Sequence, residues 1–242
     1  MNVGLMLESV PALLGGLGLT LQLVTLALFL GFFLAVGLAL LRLSGNPLVA
    51  GAAWTYVFVF RGTPLLVQIF LIYYGLGQFE AIRDSFLWTF FREPYWCAIL
   101  ALTLNTGAYT SEIIRGGIQS VPYGQVEAAR ACGMSGPLMF RRIVFPVAFR
   151  QMLPAYGNEI ILMVKSTSLA STITLLEVTG IARSIIARTF AVFEIFIVAG
   201  AIYLAINFLV TRGVRWLEWR LSPHLRDVPT PVLPAPTAIQ AR

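Results

Sequence analysis

Glu127-Ala128-Ala129-Arg130-Ala131-Cys132-Gly133, followed by Arg141-Arg142-Ile143-Val144-Phe145-Pro146, is a polar, arginine-bearing stretch between very apolar ones. In so apolar a chain, such a segment belongs in water. It is long enough for two short helices with a turn between them, a handle for a soluble partner. Ser120 precedes Val121-Pro122, and Gln125 and Glu127 follow. A hydroxyl cap, an early proline and acidic character in the first turns are helix-start signals. They predict a helix over 123–132, with Ala128, Ala129 and Ala131 as a small-residue face and Gly133 as its stop. Ser135-Gly136-Pro137 makes a second turn. A second short helix is expected over 138–145, after which Pro146 leads into the next element.

The flanks set the class. Hydrophobic residues make up 58% of the chain and charged residues 12%, about half the charged fraction of a soluble domain. Spanning helices need about 20 apolar residues, and about five candidates emerge: 13–41, 52–79, 95–114, 152–175 and 193–210. The expected fold is all-α, a polytopic membrane protein. The formal charge of +6 reports topology rather than nucleic acid, since no basic stripe is interleaved with aromatics. With the N-terminus outside, Arg42, Arg115, Arg130, Arg141, Arg142, Arg150, Arg212, Arg215, Arg220 and Arg226 fall inside. The outer segments then hold Arg83, Arg92, Arg183 and Arg188 among five acidic residues. The expected topology is N-out, C-in, with 116–150 as the cytoplasmic loop. Residues 1–220 form the membrane domain, and the proline-rich segment 221–242 is expected to be a disordered cytoplasmic tail.

Several chemistries drop out. The start lacks a basic n-region, so no cleavable signal is expected. One histidine, His224, and two cysteines, Cys97 and Cys132 near opposite faces, supply neither a zinc set nor a disulfide. No GxxxxGK[ST] loop is present, so the chain has no means of its own to hydrolyse ATP. HExxH and nucleophile-elbow motifs are absent, which argues against a membrane enzyme.

The polar groups inside the spans are the candidates for a solute path, because ionisable residues at bilayer depth face a partner or water. Arg61 stands beside Gly62-Thr63-Pro64, and two readings are open. The segment is a helix break lining a path, or Thr63 caps a new helix at Pro64 and Arg61 snorkels to the surface. Asn105, Tyr109 and Glu112 share one helix face at i, i+4 and i+7, facing other helices or a path. Glu159 and Lys165 lie six apart and do not face each other on a straight helix, so each needs its own partner. Lys165, Ser166, Thr167 and Ser168 form a donor cluster for a solute carboxylate, and Glu159 suits an amino or cationic group. Structural pairing with a neighbouring span competes for both. The Trp and Tyr residues near span ends, Trp54, Tyr73, Tyr74, Trp88, Tyr95, Trp96, Trp216 and Trp219, read as interfacial anchors.

The spacing of Glu127-Ala128-Ala129, Gly133, Ile143, Phe145 and Pro146 resembles the signature loop of bacterial ATP-binding-cassette (ABC) importer permeases. Phe145 stands where that family most often has Leu. The likeness extends through Phe60-Arg61-Gly62-Thr63-Pro64-Leu65-Leu66-Val67-Gln68, residues 101–113 and residues 165–173, which resemble the polar amino-acid uptake permeases. Pro154-Ala155-Tyr156-Gly157-Asn158-Glu159 and Thr55-Tyr56 resemble the second permease subunit of histidine- and opine-type systems. Many relatives carry Glu where this chain has Phe58.

The resemblance implies a type I ABC importer transmembrane fold in a bacterial inner membrane. It implies a heterodimer with a second permease subunit, a cytoplasmic ABC ATPase dimer that uses ATP and Mg, and a periplasmic solute-binding protein. The chain itself is expected to bind no cofactor, metal or nucleic acid. Glu127, Ala128, Ala129, Gly133, Ile143 and Pro146 would then couple it to the ATPase, and Arg61, Asn105, Tyr109, Glu112, Glu159 and Lys165–Ser168 would line the solute path. The competing class is an ion-coupled secondary transporter or channel. Those folds show paired repeats with broken helices, and no repeat is visible here.

Overall fold

The computed structural model describes residues 2–221, all helix and connection with no strand among them. The expectation of a disordered tail at 221–242 falls almost entirely outside them. Two straight helices are long and apolar enough to cross a membrane: α2, Leu17–Arg42, and the last helix, Val192–Leu221. Two further candidates are bent. Pro47–Gly62 and Leu65–Gln78 meet at 104°, and Gly136–Ile173 meets Val178–Thr189 at 46°. Pro94–Gln119 runs 26 residues, about 39 Å at helical rise, with a polar buried face that lowers its hydropathy.

The helices are α1, Val3–Gly15; α2; α3, Pro47–Gly62; and α4, Leu65–Phe70, which continues through a π turn at Leu71–Gly75. Two short turns, α5, Glu80–Arg83, and α6, Trp88–Phe91, lead to α7, Pro94–Gln119. Next come α8, Tyr123–Ala131; α9, Gly136–Met139; α10, Phe145–Ser166; α11, Val178–Thr189; and α12, Val192–Leu221. The α2–α7 pairing is the most extensive, and α10 packs against α7 and α12. Gly31 and Gly107 make the α2–α7 approach possible. A Cβ on Gly107 would lie 2.7 Å from Leu34 Cδ2, and one on Gly31 would overlap Thr106. Small residues at a crossing let backbones close up, which is how membrane helices gain packing without a hydrophobic drive. Leu23, Val24 and Ala27 of α2 thereby bury against Cys97, Ala98, Ala101 and Leu102 of α7.

Several expected boundaries move. The first span begins at Leu17, because α1 is a separate helix packed on α11 and α12. Gly16 marks the joint, and a Cβ there would meet the Glu177 carbonyl carbon at 2.7 Å. The span at 52–79 is broken, not continuous. The span at 152–175 begins earlier, at Phe145, and turns into a 3-10 segment, Thr167–Ile173.

The segment between α7 and α10 also differs in detail. Ser120 closes α7, its hydroxyl donating to Gly117 O at 2.7 Å, and Pro122 occupies the cap position of α8. Proline disfavours helical geometry in the residue before it, which delays the start. The second short helix does not stop at Pro146. A π turn, Phe140–Val144, joins α9 to α10, and Phe145 N donates to Phe140 O. The wider turn shifts the ladder where Pro146 has no N–H to give. Residues 116–119 and 145–150 are helical extensions of α7 and α10, so the connecting segment proper is 120–144.

Candidate functional site

The site is built on the break between α3 and α4. Pro64 forces Thr63 out of helical geometry, and Thr63 is extended at φ −111 and ψ 143. Pro64 itself, at φ −62 and ψ 133, occupies the cap position of α4. The reading of Thr63 as helix cap therefore gives way to a chain break. Such a break strands backbone carbonyls, which need donors when buried. Gln68 supplies them. Its Nε2 donates to Phe60 O at 2.9 Å, Thr63 O at 3.1 Å and Thr63 Oγ1 at 2.8 Å. Its Oε1 accepts from Asn105 Nδ2 at 3.0 Å. Tyr109 OH donates to Arg61 O at 3.4 Å, and Tyr56 OH to Leu104 O at 2.8 Å. Thus α7 is pinned to both sides of the break.

Around it lies a cavity of about 430 Å³. Residues 61–65 of the break form one wall, Asn105 and Tyr109 of α7 another, and Glu159, Leu162, Met163 and Ser166 of α10 the third. The Arg61 guanidinium carbon lies 5.1 Å from the Tyr109 ring centroid, close enough for a cation–π contact. No carboxylate lies within ion-pair distance of Arg61 among the described residues. Glu159 is 5% exposed and accepts from Thr106 Oγ1 at 2.9 Å. The cavity therefore presents an unpaired cation at one wall and a carboxylate at another. That is the complement of an α-amino acid, whose carboxylate and ammonium need opposite partners.

A second cavity of about 360 Å³ shares Arg61, Gly62 and Tyr109 with the first and adds Arg42, Trp54, Val57, Phe58 and Glu112. Glu112 is held by Arg115 through Nε at 3.1 Å and Nη2 at 2.7 Å, with Arg42 at 3.6 Å.

The structure brings together Arg61, Asn105, Tyr109, Glu159 and Ser166, and places Glu112 in the adjoining cavity. It does not gather the whole of Lys165, Ser166, Thr167 and Ser168. Thr167 is fully buried and donates to Val164 O at 2.7 Å, while Ser168 donates to Lys165 O at 2.6 Å. Lys165 is exposed and lies outside both cavities. Hydroxyls near a helix end satisfy their own backbone first, so a run of donors in sequence is not a cluster in space. Gln68 and Thr106 are the residues to which sequence reasoning assigned no role. A polar side chain four residues past a proline inside an apolar span is the signal that marks Gln68.

The connecting segment has its own geometry. Gly133, at φ +75, ends α8 with paired bonds, Gly133 N to Arg130 O at 2.9 Å and Met134 N to Ala129 O at 3.1 Å. This is the glycine helix stop in which a left-handed residue closes the last turn. Ala129 is buried against its own segment, whereas Glu127, Ala128 and Arg130 are exposed, and Ile143 and Pro146 are half-buried. The exposed edge of α8 is free to meet another molecule.

Comparison with known proteins follows the same lines. Residues 27–223 match the model of the family described as binding-protein-dependent transport system inner membrane component. The chain is 60% identical to the nopaline transport system permease protein NocM of Agrobacterium fabrum, over 93% of this chain and 94% of that protein. It is 58% identical to the octopine transport system permease protein OccM of Rhizobium radiobacter, over 91% and 90%. It is 44% identical to the histidine/lysine/arginine/ornithine transport system permease protein HisM of Escherichia coli, over 89% and 91%. Among solved structures, a crystal structure of an amino acid ABC transporter with histidines matches with a TM-score of 0.82 at 35% identity, covering 91% of this chain and 99% of that one. An inward-facing MetNI methionine ABC transporter shares the fold alone, with a TM-score of 0.64 at 14% identity over 91% and 99%. On its bent-helix cavity, its small-residue crossings and these likenesses together, this chain belongs to the family of binding-protein-dependent transport system inner membrane components.

Proposed function

We propose that this chain is the permease subunit of an ATP-driven importer for a cationic amino acid or opine, delivered by a periplasmic binding protein. The observation that carries the reading is the cavity at the α3–α4 break, with Arg61 at one wall and buried Glu159 at another. Relatives named for nopaline, octopine and the basic amino acids support the solute class. Arg61 and the break hold the solute carboxylate. Glu159 holds the ammonium or a side-chain cation, and Asn105, Tyr109 and Ser166 supply neutral hydrogen bonds.

Energy enters through α8. The connecting segment faces the cytoplasm, with the N-terminus outside, and the exposed edge around Glu127 and Ala128 docks on an ATPase subunit. A second permease subunit, a distinct chain, completes the pair. Closure of two ATPase subunits on ATP and Mg moves both docked helices, and the helices rock as rigid bodies to open the path outward. Population arithmetic requires ATP to favour that state by several kcal/mol, about 5.5 for a near-complete swing.

The test is uptake in proteoliposomes holding this chain, its partner permease, the ATPase and the binding protein. Uptake of labelled arginine or octopine is expected with ATP inside and absent without it. Uptake driven by an ion gradient alone would defeat the reading.

A further inference from the structure

We infer that the second cavity is a station for a second carboxylate, selecting solutes that carry an N-carboxyalkyl group over plain amino acids. The inference rests on the importer reading and deepens it. The two cavities share Arg61, Gly62 and Tyr109, so they are compartments of one volume with the Arg61–Tyr109 contact as partition. They are stacked along α7: Asn105 lines the first, Tyr109 both, and Glu112 the second. Seven residues of helix separate the outer two, about 10 Å. A solute whose α-carboxylate sits on Arg61, the cation common to both cavities, places a second carboxylate four bonds away, within about 5 Å, on the Arg42 side of Tyr109.

The second cavity is cationic. Arg42 and Arg61 line it, and its single carboxylate, Glu112, is already occupied on both oxygens by Arg115. Arg42 lies farther away, at 3.6 Å from Glu112, with its side chain only 15% exposed. Three guanidinia thus face one carboxylate. A guanidinium lining a cavity that also holds the stacked pair Trp54 and Phe58, whose ring centroids lie 5.1 Å apart, binds a carboxylate through charge-assisted hydrogen bonds. An opine supplies that group: a carboxyalkyl chain on the α-nitrogen of an amino acid. Arg42 is the specificity-determining residue. Its loss leaves Glu112 paired by Arg115 and orphans no carboxylate.

The experiment uses the full reconstituted complex with saturating binding protein, measuring ATP-driven uptake of labelled octopine and labelled arginine side by side. Arg42→Gln is expected to lower the octopine-to-arginine uptake ratio by at least about tenfold, the size expected for losing a hydrogen bond to a charged group. Arg42→Lys, which keeps the charge, is expected to restore a part of it. Copurification of the partner permease and ATPase reports assembly for each variant. An unchanged ratio in an assembled Arg42→Gln complex overturns the second-carboxylate station while leaving the importer reading intact. An equal fall for both solutes overturns it too, because Arg42 would then serve passage in general. Failure of the unaltered complex to take up either solute with ATP would instead sink the importer reading itself.

Discussion

Asn105 donates to Gln68 Oε1 at 3.0 Å across 37 residues of sequence, joining α7 to the helix that follows the 104° bend between α3 and α4. The contact fixes a break that would otherwise leave carbonyls without donors. It also sets the cavity wall, since the same face of α7 carries Tyr109.

Gln68→Leu keeps the apolar volume and removes every donor to Phe60 O and Thr63 O from that side chain. Phe60 O then keeps only the longer bond from Asn105 Nδ2 at 3.4 Å, exposed Thr63 O falls to solvent, and a buried acceptor left wholly unmet costs about 1–3 kcal/mol. The variant is expected to lower the melting temperature of the detergent-purified complex and reduce uptake. Asn105→Leu, which leaves Gln68 able to serve both carbonyls, is expected to be milder. An equal or larger effect from Asn105→Leu would mean that the pair does not act as described.

Glu177 is fully buried and caps α11, accepting from Thr179 N and Gly180 N at 2.8 Å each and from Tyr203 OH at 2.6 Å. Glu177→Ala loses the cap, worth about 0.5–2 kcal/mol, and leaves the Tyr203 hydroxyl without that acceptor. Tyr203→Phe leaves the cap intact. Thermal unfolding should therefore rank Glu177→Ala well below Tyr203→Phe; the reverse order would show that the cap contributes little.

Gly133 has φ +75 and open space around the position of a Cβ, so the cost of substitution there is backbone strain, about 1–2 kcal/mol for an ordinary residue. Asn and Asp tolerate that conformation better than branched residues. Gly133→Asn is expected to keep most ATP-coupled uptake. Gly133→Val should lose it while ATPase binding and insertion are assayed separately. Gly133→Asp places a new charge on the proposed docking side and is expected to uncouple transport with insertion intact. Full uptake by Gly133→Asp and Gly133→Val together would remove α8 as the coupling element.

Cys132 is exposed beside Gly133, and Cys97 is buried in the α2–α7 core. A membrane-impermeant maleimide is expected to label the chain in inside-out vesicles and not in intact cells. Labelling in intact cells would place α8 outside the membrane and undo the proposed route of energy.

Gly31 sits where a Cβ would overlap the Thr106 side chain. Thr106 in turn holds Glu159, so Gly31→Val is expected to act twice, by parting α2 from α7 and by loosening the cavity carboxylate. Gly37, on the same helix with open space around it, is the control: Gly37→Val should leave complex yield near the unaltered level. Similar losses from both would point to helix propensity rather than to the crossing.

Much of this was legible in one dimension. Low charge and apolar run length set the membrane class, because the solvent demanded by a helix is written in its composition. The helix stop at Gly133 was readable, since the left-handed residue that closes a helix favours glycine. The position of α1 as a separate helix was not, because Gly16 is dictated by Glu177, which lies far along the chain. The continuous helix through Pro146 was missed for a related reason. Proline marks a break in the ladder, but whether the chain stops or widens into a π turn depends on what packs around it.

The sequence by itself determined that this is a helical membrane subunit with a polar connecting segment between its third and fourth apolar stretches, and which motifs it carries. Local physics is enough for that, since hydropathy, proline and glycine act within a few residues. Only the tertiary structure decided which polar groups share a cavity. It joined Arg61, Asn105, Tyr109, Glu159 and Ser166 around the Pro64 break and left Lys165 out. Side-chain direction is set by how bent helices cross, and a crossing belongs to two segments at once.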